Sequence, residues 1–405
     1  MQGSAYRAYT RDMADRPKLP RNVWIAGGVS LLNDISSEMI YPLLPLFITG
    51  VLKASRSSLG LIEGVAEATA SLLKVYSGTL SDRFRTRKLP MFIGYGLSLA
   101  ARPLIAVAGS WSAVLGARFV DRLGKGIRTA PRDAVLADST PVGQRGRAFG
   151  VHRAMDTLGA ALGPAAAMVM LGALSFDIRT IFWISIIPGF LALLFIGFIR
   201  DDVPKHAEGG ERPTLRAAFA QGGAFRDFLW VTALFTLANS SDTFLLLKAQ
   251  SVGFSIGKVT GVYLLFNIFY AAVSGPLGAW ADVWGRRKVT LLSFFYYALI
   301  YLGFALAEAP WAVVVLFVLY GPFQAVEEGV KKAYVSELIP PERMGSGMGA
   351  YNAVKGIALL PASLLTGVLW DRFGALVAFG ACAALSAAAG FFWMVLIARR
   401  RGEAS

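Results

Sequence analysis

The sequence predicts an all-helical integral membrane protein whose twelve spans form two related six-helix bundles. Three observations carry that prediction. The 405 residues are 55% hydrophobic and only 16% charged, with a mean hydropathy of +0.53, against roughly 45–50% apolar and about 25% charged residues in a soluble domain. Basic residues gather in alternate loops, and two stretches of the chain repeat each other's charged and turn residues. This composition excludes disordered, collagen-like and disulfide-scaffold classes. The net charge, 40 − 26 = +14, would suggest nucleic acid in a soluble protein. In a membrane chain it follows from the retention of Lys and Arg on the cytoplasmic side, and no nucleic-acid partner is needed. Cys382 is the one cysteine, so no internal disulfide forms. With only His152 and His206 beside it, no metal site or cofactor is expected.

Residues 1–22 hold Arg7, Arg11, Arg16, Lys18 and Arg21 with no short apolar core or cleavage site after them. They read as a cytoplasmic tail and not as a signal peptide. A span needs about 20 mostly apolar residues to cross a hydrocarbon core about 30 Å thick. Stretches of that kind occur near 23–50, 58–80, 89–109, 111–134, 148–172 and 179–200, then near 226–250, 256–281, 289–308, 311–336, 347–369 and 375–398. The first six form a bundle over 23–200 and the last six a bundle over 226–398. Pro204, Gly209, Gly210 and Pro213 mark 201–225 as a cytoplasmic linker, and 399–405 reads as a second tail.

Orientation follows from loop charge. Arg83, Arg85, Arg87 and Lys88, then Arg145 and Arg147, then Arg286, Arg287 and Lys288 occupy alternate loops, and Arg399, Arg400 and Arg401 close the chain. The intervening loops are nearly free of Lys and Arg, apart from Lys53 and Arg56. Both termini are thereby assigned to the cytoplasm. The halves also repeat. Asp82 and Lys88 recur as Asp282 and Lys288, and the series Ala134, Asp138, Pro141, Gly146, Gly150 recurs as Ala333, Glu337, Pro340, Gly345, Gly349. Two six-span repeats are a transporter architecture, with the substrate site at the interface between them.

Three motifs resemble the major facilitator superfamily, and the resemblance spans essentially the whole chain. The loop after the second span, with Gly78, Leu80, Asp82, Arg83, Arg87 and Lys88, is similar to that family's cytoplasmic-loop pattern, with Arg85 in place of the usual Gly. Arg122, Lys125, Gly126 and Ala130 resemble its pattern on the fourth span, with Lys125 in place of Gln. Gly150, Gly159, Gly163 and Pro164 resemble an antiporter pattern on the fifth span, whose closing glycine pair is replaced by Ala167 and Met168. The resemblance implies a non-enzymatic secondary transporter that rocks two bundles about a midplane cavity, and implies proton-coupled export. It also implies gating roles for Asp82 and Arg83, for their repeats Asp282 and Arg286, and for Gly159, Gly163 and Pro164. Independently, glycines let helices approach closely and Pro164 kinks its helix.

Intramembrane charges supply the candidate site. The fourth span carries Arg118, Asp121, Arg122, Lys125, Arg128, Arg132 and Asp133. Each one facing lipid near the bilayer centre would cost about 2.5–3.5 kcal/mol, so they must face water or each other. Arg118, Arg122, Lys125 and Arg132 share one helical face. Arg122 and Lys125 are read as cavity residues or, alternatively, as partners of Asp121. Arg128 and Arg132 are expected to snorkel to the cytoplasmic surface. The tenth span repeats the theme with Gln324, Glu327 and Lys331, which either line the cavity or form Glu–Lys pairs one turn apart. Lys355 on the eleventh span has no acidic neighbour on its own helix. Tyr263, Asn267 and Tyr351 are added as substrate-binding candidates or helix-packing residues. Asp34, Glu38 and Glu67 are the proton-coupling candidates, with static salt bridges to Arg102, Arg122 or Lys74 as the alternative.

The resulting expectation is a monomeric, proton-coupled exporter of a small organic anion in the inner (plasma) membrane. Basic side chains recognise carboxylate or phosphate directly. Three other readings stay open: an exporter of lipophilic cations, a proton-coupled importer of an organic acid or metal chelate, and a non-transporting receptor.

Overall fold

In the computed structural model, residues 19–83, 86–141, 144–200, 223–340 and 343–403 are described, with side chains omitted at 74–83, 345–346 and 401–403. Twelve helical passes run through them. The first joins Arg21–Ile40 to the short helix Leu44–Leu46 and a π turn, Phe47–Val51. Arg56–Arg83, Lys88–Val107, Trp111–Ser139, Arg145–Gly172 and Ile178–Ile196 complete the first bundle. The seventh pass is broken, with Gly223–Ala238 and Thr243–Ser251 separated by the turn residues Asn239–Asp242. Ile256–Trp284, Arg286–Leu306 and Pro310–Glu337 follow, the last with a π turn at Val326–Val330. The final two passes form one run, Met344–Glu403, that Gly374 divides at φ 85°, a backbone region open to glycine. Of the linker read over 201–225, residues 201–222 lie outside the described residues.

Local chemistry explains the helix ends and the gaps in their hydrogen bonding. Ser110 caps the fourth pass by accepting from Ala113 N–H, and Asp177 caps the sixth by accepting from the Arg179 and Thr180 N–H groups. Pro103, Pro131, Pro164, Pro276, Pro322 and Pro361 lie inside helices. Each removes one ladder hydrogen bond from its pass. Large apolar side chains such as Trp24, Leu104, Trp183, Phe198, Leu299 and Phe391 stay exposed on the outside, as a chain solvated by lipid requires. Among the described residues, seven helices are long and apolar enough by composition alone to cross a bilayer. The second and fourth passes fall below that mark because they carry charges that face the bundle interior.

The two bundles are held differently. The second is an aromatic core in which Phe235, Phe294, Tyr297, Tyr301, Tyr320 and Phe323 stack with ring centroids 4.0–6.5 Å apart. The first relies on close backbone approach. A methyl added at Gly159 would lie 2.6 Å from the Leu31 carbonyl oxygen, and one at Gly163 would lie 2.7 Å from that of Ile35. The first and fifth passes therefore touch along a glycine edge.

Between the bundles, contact concentrates at the face opposite the basic loops. There the second and eleventh passes meet backbone to backbone: a methyl at Gly64 would stand 2.9 Å from Leu360 Cα. Gly60 abuts Ser363, and Gly367 abuts Arg56. Asp371 clasps the end of this seam. Its carboxylate accepts from the backbone N–H of Arg56 (3.1 Å) and of Ser57 (2.7 Å), and from Ser57 Oγ (2.6 Å). The Arg56 guanidinium adds an ion pair at 3.6 Å. Gly261 likewise lies against Met168 on this side. Toward the basic loops, the space between the bundles extends past Arg132 and Arg153 to Asp282 and Arg286. The molecule is closed at one face and open at the basic one.

Candidate functional site

The open side leads to a cavity of about 570 Å³ between the bundles. The fourth pass supplies Arg118, Asp121, Arg122, Lys125, Arg128 and Arg132, and the first supplies Ser30, Asn33, Asp34, Ser37, Glu38 and Tyr41. Across from them stand the seventh-pass turn, Asn239–Asp242, and residues of the tenth and eleventh passes, including Gln324, Glu327, Glu328, Asn352 and Lys355. Among the described residues, nine carboxyl groups and eight cationic groups line the space. The basic cavity expected from the fourth pass is thus a mixed one, because acids from the first, second and tenth passes face it.

Buried charges cost several kcal/mol each unless paired, so the pairing decides which remain for a solute. Arg118 is engaged, with its Nη2 at 2.9 and 3.0 Å from both Glu63 oxygens and its Nη1 at 3.4 Å from Asp121. Arg122 lies 3.4 Å from Glu67 and 3.7 Å from Asp121. The alternative reading of Glu67 as a salt-bridge partner is therefore the geometry present in this state. In the second bundle Glu327 bridges two lysines, Lys331 and, at 2.8 Å, Lys355. Glu328 pairs with Lys332.

Two cations are left over. Among the described residues, the Lys125 ammonium makes no hydrogen bond or ion pair while it lines the cavity. Among the described residues, Arg128 has no carboxylate within ion-pair distance; it donates to Ser98 Oγ and stacks 4.4 Å from the Tyr95 ring. The snorkelling expected of Arg128 is overturned, since it is buried at 8% exposure. The close packing of Gly94 against Gly124 and Arg128 turns its side chain inward. Arg132 is half-buried and pairs with Asp133 at 2.9 Å.

Three carboxyls are also without a cation within ion-pair distance among the described residues. Asp34 accepts from Asn33 Nδ2 at 3.1 Å, Glu38 from Tyr263 Oη at 3.0 Å, and Asp242 from Tyr320 Oη at 2.7 Å. Asp242 stands at the break of the seventh pass. That break is legible in the sequence only as a polar run, not as an interruption of the helix.

Several candidates stand behind the wall instead of on it. Lys331 is buried at 1% exposure, its ammonium 4.0 and 4.6 Å from the Phe235 and Phe294 rings. Tyr351 is buried beneath Lys355, with 5.7 Å between ammonium and ring centre. Tyr263 stands behind Glu38 and Tyr41, donating to the first at 3.0 Å and packing on the ring of the second at 5.4 Å, and Asn267 sits one turn beyond it. Arg102 belongs to Asn33, whose Oδ1 accepts from it at 3.1 Å, and not to Asp34.

The gating candidates divide. The side chains of Asp82 and Arg83 lie outside the described residues. Their repeats are described: Arg286 joins Asp282 at 2.7 Å and Glu337 at 2.8 Å. In the first bundle Arg87 joins Asp138 at 3.3 Å. Both links tie a basic loop to the end of the fourth or tenth pass across the same separation, 51 residues. Gly159 and Gly163 face Asp34 and Glu38, and a methyl there would meet those Cβ atoms at 2.9 and 2.8 Å. Pro164 follows directly, where it removes one ladder hydrogen bond from the fifth pass.

Comparison with known proteins agrees with this architecture. A 36%-identical relative over 360 residues, an uncharacterized MFS-type transporter of Methanocaldococcus jannaschii, matches 87% of this chain and 89% of its own length. The hexuronate transporter of Bacillus subtilis is 22% identical, over 89% of this chain and 90% of the relative. The crystal structure of a mutant of the nucleoside transporter NupG superposes with a TM-score of 0.80 at 13% identity, covering 93% of this chain and 99% of that one. The profile of the Major Facilitator Superfamily matches residues 26–268 and again 243–405. With the paired six-helix bundles and the cavity between them, these matches show that the chain is a multi-pass membrane transporter belonging to the Major Facilitator Superfamily.

Proposed function

We propose that the protein moves a small organic anion across the plasma membrane in exchange for protons, as a functional monomer without enzymatic activity. The observation that carries this reading is the pair of cavity cations, Lys125 and Arg128, left without carboxylate partners while every other described cation on the wall is engaged. An ammonium and a guanidinium side by side suit a carboxylate or phosphate. The relative named for hexuronate transport supports the same class of solute. Export is supported by the fifth-pass glycines, which resemble the antiporter pattern and here seat the helix against Asp34 and Glu38. The positive-inside rule then assigns the basic, open face to the cytoplasm.

A second reading is favoured by one observation, the three carboxyls Asp34, Glu38 and Asp242 that lack ion-pair partners among the described residues; these would suit a lipophilic cation. Thermal stabilisation of the purified protein separates the two, since a bound solute stabilises in proportion to occupancy. Glucuronate at millimolar concentration is expected to raise the melting temperature of the wild type and not of Lys125→Ala. Stabilisation by tetraphenylphosphonium alone would refute the anion reading.

A further inference from the structure

The contact between the first and fifth passes holds a further carboxyl group of the cavity wall. Asp156 projects from the fifth pass, one turn before Gly159, toward Ser30 and Asp34 on the first. Its Oδ1 accepts from Ser30 Oγ at 3.0 Å and its Oδ2 from Arg153 Nη1 at 3.0 Å. Gly159, one turn further along the fifth pass, backs on Asp34, with a methyl there 2.9 Å from Asp34 Cβ, so the helix contact brings the two carboxyls together. Ser30 and Asp34 are four residues apart on one helical face, so a single side chain reaches both. Two carboxyl groups held this close can join in a hydrogen bond once a proton is added to one of them. Arg153 continues the chain of contacts: its Nη2 donates to Tyr270 Oη at 3.1 Å, on the eighth pass of the other bundle.

We propose that Asp34 and Asp156 form one proton-carrying site, and that Arg153 transmits its state to the inter-bundle contact at Tyr270. The proposal rests on the proton-coupled reading and names the residues that would carry it out. When a proton from water adds to the pair, the pair changes from two negative charges to one. The Asp156 carboxyl then holds Arg153 less strongly, and the Arg153–Tyr270 link between bundles loosens. When the proton leaves, the dianionic pair draws Arg153 back into its anchored position. No other bond forms or breaks.

The surroundings suit a site that alternates between the two forms. Arg128 and Arg132 from the fourth pass and Arg153 from the fifth bring positive charge to the pair, while Glu38 opposes it from the first pass. His152 lies on the same helix, and Glu328 of the tenth pass faces Arg153 from the other bundle. Water has access. Arg153 lines both the central cavity and a second one of about 440 Å³ that runs past Tyr270 and Ser274 to Asp282 and Arg286 at the basic face.

The test needs no substrate. Spin labels at Gly146→Cys and Val283→Cys report the separation of the fifth and eighth passes at the basic face. Gly146 has open space beside it, Val283 is 88% exposed, and the native Cys382 is buried away from label. Pulsed electron–electron distances are recorded on the full chain in nanodiscs between pH 5.5 and 8. The wild type is expected to shift its distance distribution with pH, and Asp156→Asn and Asp34→Asn are each expected to lose that shift. Asp156→Glu, which restores a titrating carboxyl, is expected to recover it. A wild type that responds to pH together with an Asp156→Asn variant that responds at the same midpoint would overturn this site and leave proton coupling standing. A wild type with no response at all would overturn the proton-coupled reading itself. Should Asp156→Asn fail to fold, Asp34→Asn makes the same distinction from the other side of the pair.

Discussion

Replacing Asp371 by alanine should open the face that this structure holds shut. The carboxylate of Asp371 belongs to the second bundle, but its three hydrogen bonds cap the N-terminus of the second pass in the first bundle. Loss of an N-cap costs about 1 kcal/mol, and a solvent-exposed ion pair such as Arg56–Asp371 adds at most ~1 kcal/mol. These contacts cross the seam and must be given up when the two ends separate, so their whole value is a difference between conformations. A ligand or contact shifts an equilibrium only by such a difference. Removing ~1–2 kcal/mol should therefore raise the ratio of open to closed molecules roughly 5–30-fold. Spin labels at Val51 and Leu376, which are 49% and 56% exposed on opposite bundles at this face, would read the change. Asp371→Asn keeps an acceptor and loses the charge, and should fall between. An unchanged distance distribution in Asp371→Ala would refute the reasoning, because the clasp would then be incidental to closure.

Other substitutions probe other parts of the molecule. Glu63→Gln removes the carboxylate that faces Arg118 inside the first bundle and should lower stability by about 3–5 kcal/mol, seen as a fall in melting temperature; pairing it with Arg118→Met should recover much of the loss. Gly159→Val places a side chain 2.6 Å from the Leu31 carbonyl and 2.9 Å from Asp34 Cβ, an overpacking that should cost about 1–3 kcal/mol and reduce transport through displacement of Asp34. Asp177 lies in the loop before the sixth pass, where hydrogen bonds from the Thr180 hydroxyl and from N–H groups hold its carboxyl below the usual range. Its stabilising effect, about 1 kcal/mol for a cap of this kind, should be complete at neutral pH and fade as acid lowers the pH through the depressed folded-state value. Thermal melting of Asp177→Ala against wild type, from pH 7 downward, should show the two curves converging.

The passes and their division into two bundles are legible in the sequence because they depend on the chain's own order: apolar length, loop charge and an internal repeat. Which charges face which is not. Arg118 on the fourth pass offers Asp121 as a neighbour on its own helix, yet its strongest partner, Glu63, comes from the second. That choice depends on how two helices rotate against each other, which no stripe on a single helix encodes. The inward turn of Arg128 is hidden for the same reason, since the glycines that produce it belong to the third and fourth passes together. The clasp at Asp371 joins residues more than 300 positions apart, so no local pattern announces it. The broken seventh pass escapes notice because Asn239, Ser240, Ser241 and Asp242 suit a polar cavity wall as well as a turn.

The wide turn at Val326–Val330 sets the angular phase of everything after it on the tenth pass. A π turn holds one residue more than a regular helix needs, and each residue advances a helix by about 100°. Winding the same residues as a regular helix would therefore swing the following segment by about that angle. Lys331 would leave its aromatic seat, and Lys332 would turn away from the cavity mouth. The extra residue therefore acts as a shim: two consecutive acids, one buried and one at the wall, each meet a lysine four positions on. A regular helix at this place would keep the same composition and lose that division between inside and rim.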